Sequence, residues 1–256
     1  MYDQLQLREI FHLEFLRWFS RKVKSGSYAV KGGVNLRFFF KSFRYSEDMD
    51  LDARGIHKDL LLDAVMRVLE APSFQNTLKP FGIERIIPPA IAKAKQTETT
   101  QRFKAHLITF SGEDLFTKIE FSRRGFKGEI TVEPVLDDVT RMYKMPPLLI
   151  PHYTISAAVG QKIDALSTRA VAQARDIFDL YILSSQYRKT GSLKITSSRL
   201  KEALEKVFGI TFNNFQDTVL SYLSAEDRSV YNNPDAWDEI RLKTARFLEE
   251  LSVTNG

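Results

Sequence analysis

The run Asp48-Met49-Asp50-Leu51-Asp52 alternates acidic and apolar residues, and this period of two is the strongest single constraint on how the chain can fold. Successive side chains of a strand point to opposite faces, so the pattern puts the three aspartates on one face and Met49 and Leu51 on the other. A strand packed on one side and acidic on the other is expected. Upstream, Tyr28-Ala29-Val30 is a short β-favouring run stopped by Gly32-Gly33, after which Val34, Leu36, Arg37 and Phe38 to Phe40 start a helix with an apolar core face. Strand, glycine turn, helix and acidic strand therefore follow in that order.

The flanking sequence fits a mixed α/β domain. Leu7, Phe11, Phe15 and Trp18 recur at helical spacing with charged residues between them, which predicts an amphipathic helix running to the turn cluster Ser25-Gly26-Ser27. Leu60, Leu61, Ala64, Val65, Val68 and Leu69 predict a second, stopped at Ala71-Pro72. Residues 102–110, 115–122 and 129–136 read as strands joined by short polar or glycine-bearing turns, a spacing that suits antiparallel hairpins. Beyond the proline stretch from Pro146 to Pro151, apolar residues recur at helical spacing from Thr154 to Leu251. The expected organisation is an α/β (α+β) domain over residues 1–145 with a mixed or antiparallel sheet, then an α-helical domain over residues 152–256 that completes the active cleft.

Composition narrows the chemistry. The 256 residues are 43% hydrophobic and 27% charged, enough apolar material for a buried core, and the net charge of +5 is a mild excess that suits a polyanionic partner without requiring one. With no cysteine, disulfides, thiolate zinc sites, iron–sulfur clusters and a cysteine nucleophile are excluded. His12, His57, His106 and His152 show no ligand spacing and read as surface or packing residues, so any metal is expected to be oxygen-bound. No stretch approaches the roughly 20 apolar residues that span a bilayer, and residues 1–7 lack signal-peptide regions. A soluble, cytoplasmic protein without a membrane partner is the expectation.

Asp48 and Asp50 point the same way from one strand, and Glu120 on a later strand can complete an oxygen cage for two magnesium ions. Such a cage stabilises an attacking oxygen and a departing pyrophosphate. The glycine turn lets backbone approach phosphate oxygens, and the helix after it offers free N–H groups. Glu120 remains open to two readings, as a third ligand or as the cross-strand partner of an arginine. Asp52 shares the acidic face as an ordinary solvent-facing charge.

Lys31-Gly32-Gly33-Val34-Asn35-Leu36 followed by Arg44-Tyr45-Ser46-Glu47-Asp48-Met49-Asp50-Leu51 resembles the opening motif of the polymerase-β-type nucleotidyltransferases, in which a glycine pair or Gly-Ser precedes an Asp-x-Asp/Glu strand. Within that superfamily the pattern is similar to the AbiEii-type nucleotidyltransferases, toxins of abortive-infection and type IV toxin–antitoxin systems. Gln161-Lys162-Ile163-Asp164-Ala165-Leu166, Arg169 and Ala174-Arg175-Asp176-Ile177-Phe178-Asp179-Leu180 resemble a helical segment of the same family, with Gln161 in place of the usual glutamate. The resemblance spans roughly residues 25 to 185. It implies that Gly32 and Gly33, with Lys31, Arg44 and Ser46 around them, hold a nucleoside triphosphate, that Asp48 and Asp50 bind magnesium, that Lys162 contacts phosphate, and that Asp176 is essential.

Each residue also has a plainer reading. Lys162 could lie along the surface with its stem on apolar neighbours. Asp176 could orient or deprotonate an acceptor hydroxyl, or order Lys162 or Arg175, while Asp179 reads as structural; the simplest alternative pairs one of the two aspartates with Arg169 or Arg175. Ser46 reads as a turn-holding hydrogen-bonding residue. The basic turn Arg123-Arg124-Gly125-Phe126-Lys127-Gly128 is a solvated tip or an RNA contact. By resemblance the acceptor is RNA, with the tRNA 3′ end foremost, and a separately encoded antitoxin opposes the toxin. A small-molecule or protein acceptor, or a module that binds nucleotide without turnover, are the competing readings.

Overall fold

The computed structural model describes residues 2–188, 193 and 195–254. Its backbone separates into two units, one of Met1–Phe39 and Tyr45–Tyr153, the other of Phe40–Arg44 and Thr154–Gly256.

In the first unit, α1 (Gln4–Phe19) starts at a capping box in which the Asp3 carboxylate accepts from the Gln6 N–H and the Gln6 side chain accepts in return. The helix stops at Phe19, and residues 25–27 form a separate 3-10 turn. Nor is its polar side solvated, as the amphipathic reading expected: Glu9 and Glu14 are buried, each held by an arginine, Arg37 and Arg17. Strand β1 (Tyr28–Lys31) runs directly into α2 (Gly32–Phe39), and the acidic strand is β2 (Met49–Ala53). Then come α3 (Lys58–Leu69), α4 (Pro72–Leu78), β3 (Ile83–Ile87), β4 (Thr100–Thr109), β5 (Asp114–Ser122), β6 (Ile130–Pro134), α5 (Asp137–Met142) and β7 (Leu149–Tyr153).

The strands form one mixed sheet in the order β3-β4-β5-β2-β1-β7-β6. Two pairs are parallel, β2 with β5 and β1 with β7; the other neighbours are antiparallel. Only β4–β5 is the expected hairpin. The basic turn after β5 does not fold β6 back onto it; β6 pairs with β7 at the far edge instead. The proline stretch is likewise no simple linker, because Pro151 lies within β7, whose strand belongs to the first unit. Pro151 is tolerated because this is where the short β7 meets only one register partner of β1, Val30 opposite His152. Met49 and Leu51 are fully buried, and the otherwise mostly aliphatic core holds a set of large aromatics: Phe11, Phe15, Phe19, Tyr28, Phe74, Phe103 and Phe121 are all inaccessible or nearly so. Phe19 stacks tilted on Phe121 with ring centres 5.4 Å apart and edge-on against Tyr28 at 5.1 Å, which joins α1 to β5 and β1.

The second unit is helical. It comprises α6 (Ile155–Thr168), α7 (Ala174–Ser184), α8 (Ser197–Val207), α9 (Phe212–Thr218), α10 (Ala225–Tyr231) and α11 (Pro234–Thr254). Thr154 caps α6 through the Ala157 N–H. Trp237 stacks on Phe215 at 4.5 Å and donates its indole N–H to the Ile210 carbonyl, so its polar atom is satisfied inside the core. Residues 40–44, between α2 and β2 in the chain, belong here: Gln186 Nε2 donates to the Phe40 carbonyl at 2.7 Å, and Phe43 packs edge-on against Phe178. The expected boundary, a single break near residue 150, therefore misses this excursion. No helix among the described residues is long and apolar enough to cross a membrane.

Candidate active site

The geometry starts at Gly32. Its φ of +67° lies in the left-handed region that favours glycine, and it turns the chain from β1 into α2. A Cβ there would stand 3.2 Å from Asp50 Oδ2, so the glycine backbone lies directly against that carboxylate. The first turn of α2 beyond it leaves N–H groups without intrahelical acceptors.

Register brings the charges together. In the antiparallel pair β1–β2, Lys31 is opposite Asp50; in the parallel pair β2–β5, Asp50 is opposite Glu120; and in β4–β5, Glu120 is opposite Arg102. One sheet face thus carries Lys31, Asp50, Glu120 and Arg102 in a row. Asp48 stands just before β2, with Oδ2 2.8 Å from Lys118 Nζ, while its Oδ1 is buried without a hydrogen-bond partner. Burial raises the Asp50 carboxyl above its ordinary pKa; Glu120 and Asp48 add to the rise, and Lys31 and Lys118 oppose it. Of the two readings of Glu120, the structure shows the cross-strand partner of an arginine: its Oε2 is 2.7 Å from Arg102 Nη2, and its backbone position is beside Asp50.

The backbone entering Asp48 is clamped. Ser46 Oγ donates to the Asp48 carbonyl at 2.7 Å, a turn-holding bond, and Thr117 Oγ1 donates to the Glu47 carbonyl at 2.7 Å. Thr117 Oγ1 is also 3.0 Å from His12 Nε2. Burial first, and the nearby Arg8 second, push the His12 pKa down to about 3, so the imidazole is neutral; with the Thr117 hydroxyl proton given to the Glu47 carbonyl, His12 Nε2 is the N–H that donates to Thr117 Oγ1.

Asp52 departs from the expectation of a solvent-facing charge. It is buried, its Oδ1 2.5 Å from Lys31 Nζ and its Oδ2 accepting from the Tyr153 hydroxyl at 2.5 Å. A buried carboxylate needs such partners, and here they come from the strands at β1 and β7. The same Tyr153 hydroxyl accepts the Lys127 N–H, and Phe126 lies edge-on to Tyr153 and under Arg54 at 4.5 Å. Arg123 is held by Glu98 and the Ile56 carbonyl. Phe126 and Arg123 of the basic turn thus have internal partners, and Arg124 and Lys127 are its exposed cations.

A second charged cluster lies within the helical unit. Asp176 and Asp179, one turn apart on α7, have no exposed surface. Lys162 Nζ from α6 is 3.3 Å from Asp176 Oδ1 and 2.5 Å from Asp179 Oδ2. Arg169 Nη1 is 3.1 Å from Asp176 Oδ2 in an ion pair without hydrogen-bond alignment. Arg44, itself nearly buried, donates from Nη2 to both Asp179 oxygens at 3.0 and 3.1 Å and from Nε to Oδ1 at 3.2 Å. Burial would raise the Asp179 carboxyl, but Arg44 and Lys162 outweigh it and hold it below the ordinary carboxylate range. Asp176 is placed with Lys162 and Arg169, not with Arg175, which is exposed. Arg44, expected at a triphosphate, has its guanidinium occupied by Asp179. Nothing local marks this pair, whose members are 135 residues apart.

Among the described residues, no three carboxylates or imidazoles converge in ligating geometry. The residues nonetheless suit a hard cation: Asp48 has one buried oxygen without a partner, and Asp50 is a carboxylate destabilised by burial and like charge.

Three solved structures share the fold: JHP933 from Helicobacter pylori (TM-score 0.61, 19% identity, 96% of this chain and 92% of that one), a structure described as a putative nucleotidyltransferase from H. pylori (0.62, 21%, 96% and 95%), and MenT4, a nucleotidyltransferase toxin from Mycobacterium tuberculosis (0.63, 16%, 96% and 84%). No curated protein matches the chain. The model of the nucleotidyl transferase AbiEii toxin family of type IV toxin–antitoxin systems matches residues 14–252, nearly the whole sequence. The chain belongs to that family of nucleotidyltransferase toxins.

Proposed function

We propose that this protein transfers a nucleotidyl group from a nucleoside triphosphate to an RNA hydroxyl, with the 3′ end of tRNA as the leading acceptor. The consequence is growth arrest in the cytoplasm, opposed by a separately encoded antitoxin. The observation that carries the reading is the carboxylate pair Asp48 and Asp50, with Asp50 against the left-handed Gly32, one Asp48 oxygen buried without a partner and the Asp50 carboxyl raised by burial.

Asp48 and Asp50, with Glu120 beside them, would hold two magnesium ions, which supply charge neutralisation for the triphosphate and for the acceptor oxygen. The Gly32-Gly33 turn presents backbone N–H groups to phosphate oxygens without a side chain in the way. Lys31 keeps Asp52 paired and lies opposite Asp50, so it balances the acidic face. Ser46 and Thr117 hold the main chain that aims Asp48. Lys162 brings positive charge to the phosphates, and Asp176 orders its ammonium; full burial and two cationic neighbours favour that role for Asp176 over proton transfer. Arg44 acts through Asp179, as a positioning residue for Lys162.

The test incubates the protein and magnesium with each of the four α-labelled triphosphates and deproteinised total RNA, beside Asp48→Ala. Label on a tRNA-sized band that falls at least 100-fold in the variant is the expected result, the scale of losing a group that stabilises transition-state charge, about 3 kcal/mol. Label confined to a small-molecule or protein acceptor would replace the RNA reading. Triphosphate binding without turnover would leave a binding module.

A further inference from the structure

The helical unit contains a pocket of about 630 Å³ that the chemistry above does not use. Phe43, Tyr181 and Phe247 supply aromatic walls, and Lys41, Lys243 and Arg246 supply cations. Lys41 has a φ of +50°, a left-handed conformation that costs a non-glycine residue energy, and it is exposed. It is held there by its neighbours: Gln186 fixes the Phe40 carbonyl, Phe43 stacks on Tyr231 at 5.2 Å, and Arg44 is locked to Asp179. Neither Lys41 nor Arg246 has an ion-pair partner among the described residues. Lys243 is paired with Glu239 and stands 5.6 Å over the Tyr181 ring.

Two features run against an anionic occupant, and both are answered locally. Glu250 also lines the pocket, but as one carboxylate against Lys41 and Arg246, with Lys243 already balanced by Glu239. The C-terminus of α7 points its dipole's negative end this way, yet its carbonyls are covered: Ser184 Oγ donates to Tyr181 and Ser185 Oγ to Ile182. Unpaired surface cations set around aromatic rings are the arrangement that tracks a phosphodiester backbone and stacks unpaired bases. Along α7 the pocket is near the buried cluster, since Asp176 and Ser184 are about 12 Å apart at the helical rise.

We propose that this pocket is an anchoring site for a single-stranded segment of the RNA acceptor, with Lys41 and Arg246 on phosphates and the aromatic walls against a base. The proposal rests on the RNA-acceptor reading above. It makes the pocket a determinant of which RNA is chosen, apart from the residues that hold the triphosphate.

The test measures fluorescence anisotropy of the full chain with a 5′-labelled single-stranded oligoribonucleotide ending in CCA, across a salt series. Wild type is compared with the double variant Lys41→Glu/Arg246→Glu and with Lys201→Glu, an exposed α8 lysine outside the pocket. The double variant should bind about tenfold more weakly and lose about 0.7 unit of log–log salt slope per phosphate contact removed. Lys201→Glu should bind like wild type, and all three proteins should bind a labelled triphosphate alike. Equal RNA binding by the double variant and Lys201→Glu overturns the pocket assignment while leaving the acceptor reading standing. Wild type that binds the triphosphate but no RNA overturns both. Retained melting temperature in the double variant excludes unfolding as the cause, and both substituted side chains are exposed.

Discussion

Replacing Arg44 by methionine isolates the buried charge cluster of the helical unit. The substitution keeps most of the stem's volume and removes three hydrogen bonds to Asp179, whose carboxylate has no exposed surface. Taking one partner from a buried ion pair costs about 3–5 kcal/mol because a charge is left uncompensated. Here Asp179 keeps Lys162 at 2.5 Å, so the low end, about 3 kcal/mol, applies. The effect has a pH signature. In the intact protein Arg44 and Lys162 overcome burial and depress the Asp179 carboxyl, so its stabilisation is complete above the unfolded-state value near 3.9 and fades as pH falls through the lower folded value. Without Arg44, burial gains on the remaining attraction and the carboxyl rises. Protonation then relieves the stranded charge, and the gap between variant and wild type narrows from pH 7 to pH 5. Urea unfolding reads this directly. The chain has two tryptophans, Trp18 in the first unit and Trp237 in the helical one, so a Trp18→Phe background leaves Trp237 to report on the unit concerned. With a slope of about 1.5 kcal/mol/M, the midpoint should fall by about 2 M at pH 7. A gap below about 1 kcal/mol, or one that widens on acidification, refutes the reasoning.

Three further outcomes follow from the sheet. Gly32→Ala forces a Cβ to 3.2 Å from Asp50 Oδ2 at a left-handed φ; it should cost about 1–2 kcal/mol by thermal unfolding and reduce nucleotidyl transfer more than triphosphate affinity. Thr117→Val strands the Glu47 carbonyl and His12 Nε2 in the core, so calorimetry should show a loss of about 2 kcal/mol, and transfer should slow because the main chain before Asp48 is released; unchanged transfer would detach the clamp from activity. Asp50→Asn should abolish transfer yet raise the melting temperature of the metal-free protein at pH 7: the raised carboxyl destabilises the fold above its own pKa, the penalty vanishes as pH falls, and the advantage of asparagine should close toward pH 4. A variant that melts lower than wild type at pH 7 contradicts that sign.

Local patterns were legible from the residues alone. The alternation at 48–52 became β2 with Met49 and Leu51 fully buried, and the run before Gly32-Gly33 became a strand ending at a left-handed glycine. Helical spacing beyond Thr154 became α6, α7, α8 and α11. Patterns were poorest where a side chain's role depends on a distant neighbour. Glu14 is spaced as a surface residue of α1 but is buried against Arg17, and β3 and β7 are short strands among prolines with no clean alternation.

The sequence by itself determined the family, the acidic strand, the glycine turn and the presence of a helical half, because each is written in contiguous residues or at a fixed period. Only the tertiary structure decided the partners. The parallel pairing of β2 with β5 puts Glu120 beside Asp50, the pairing of β7 with β1 accompanies the reach of Tyr153 to Asp52, and the fold of residues 40–44 into the helical unit delivers Arg44 to Asp179. Charge pairing of this kind is set by proximity in three dimensions, and a carboxylate that must be buried takes whichever cation the fold brings within reach.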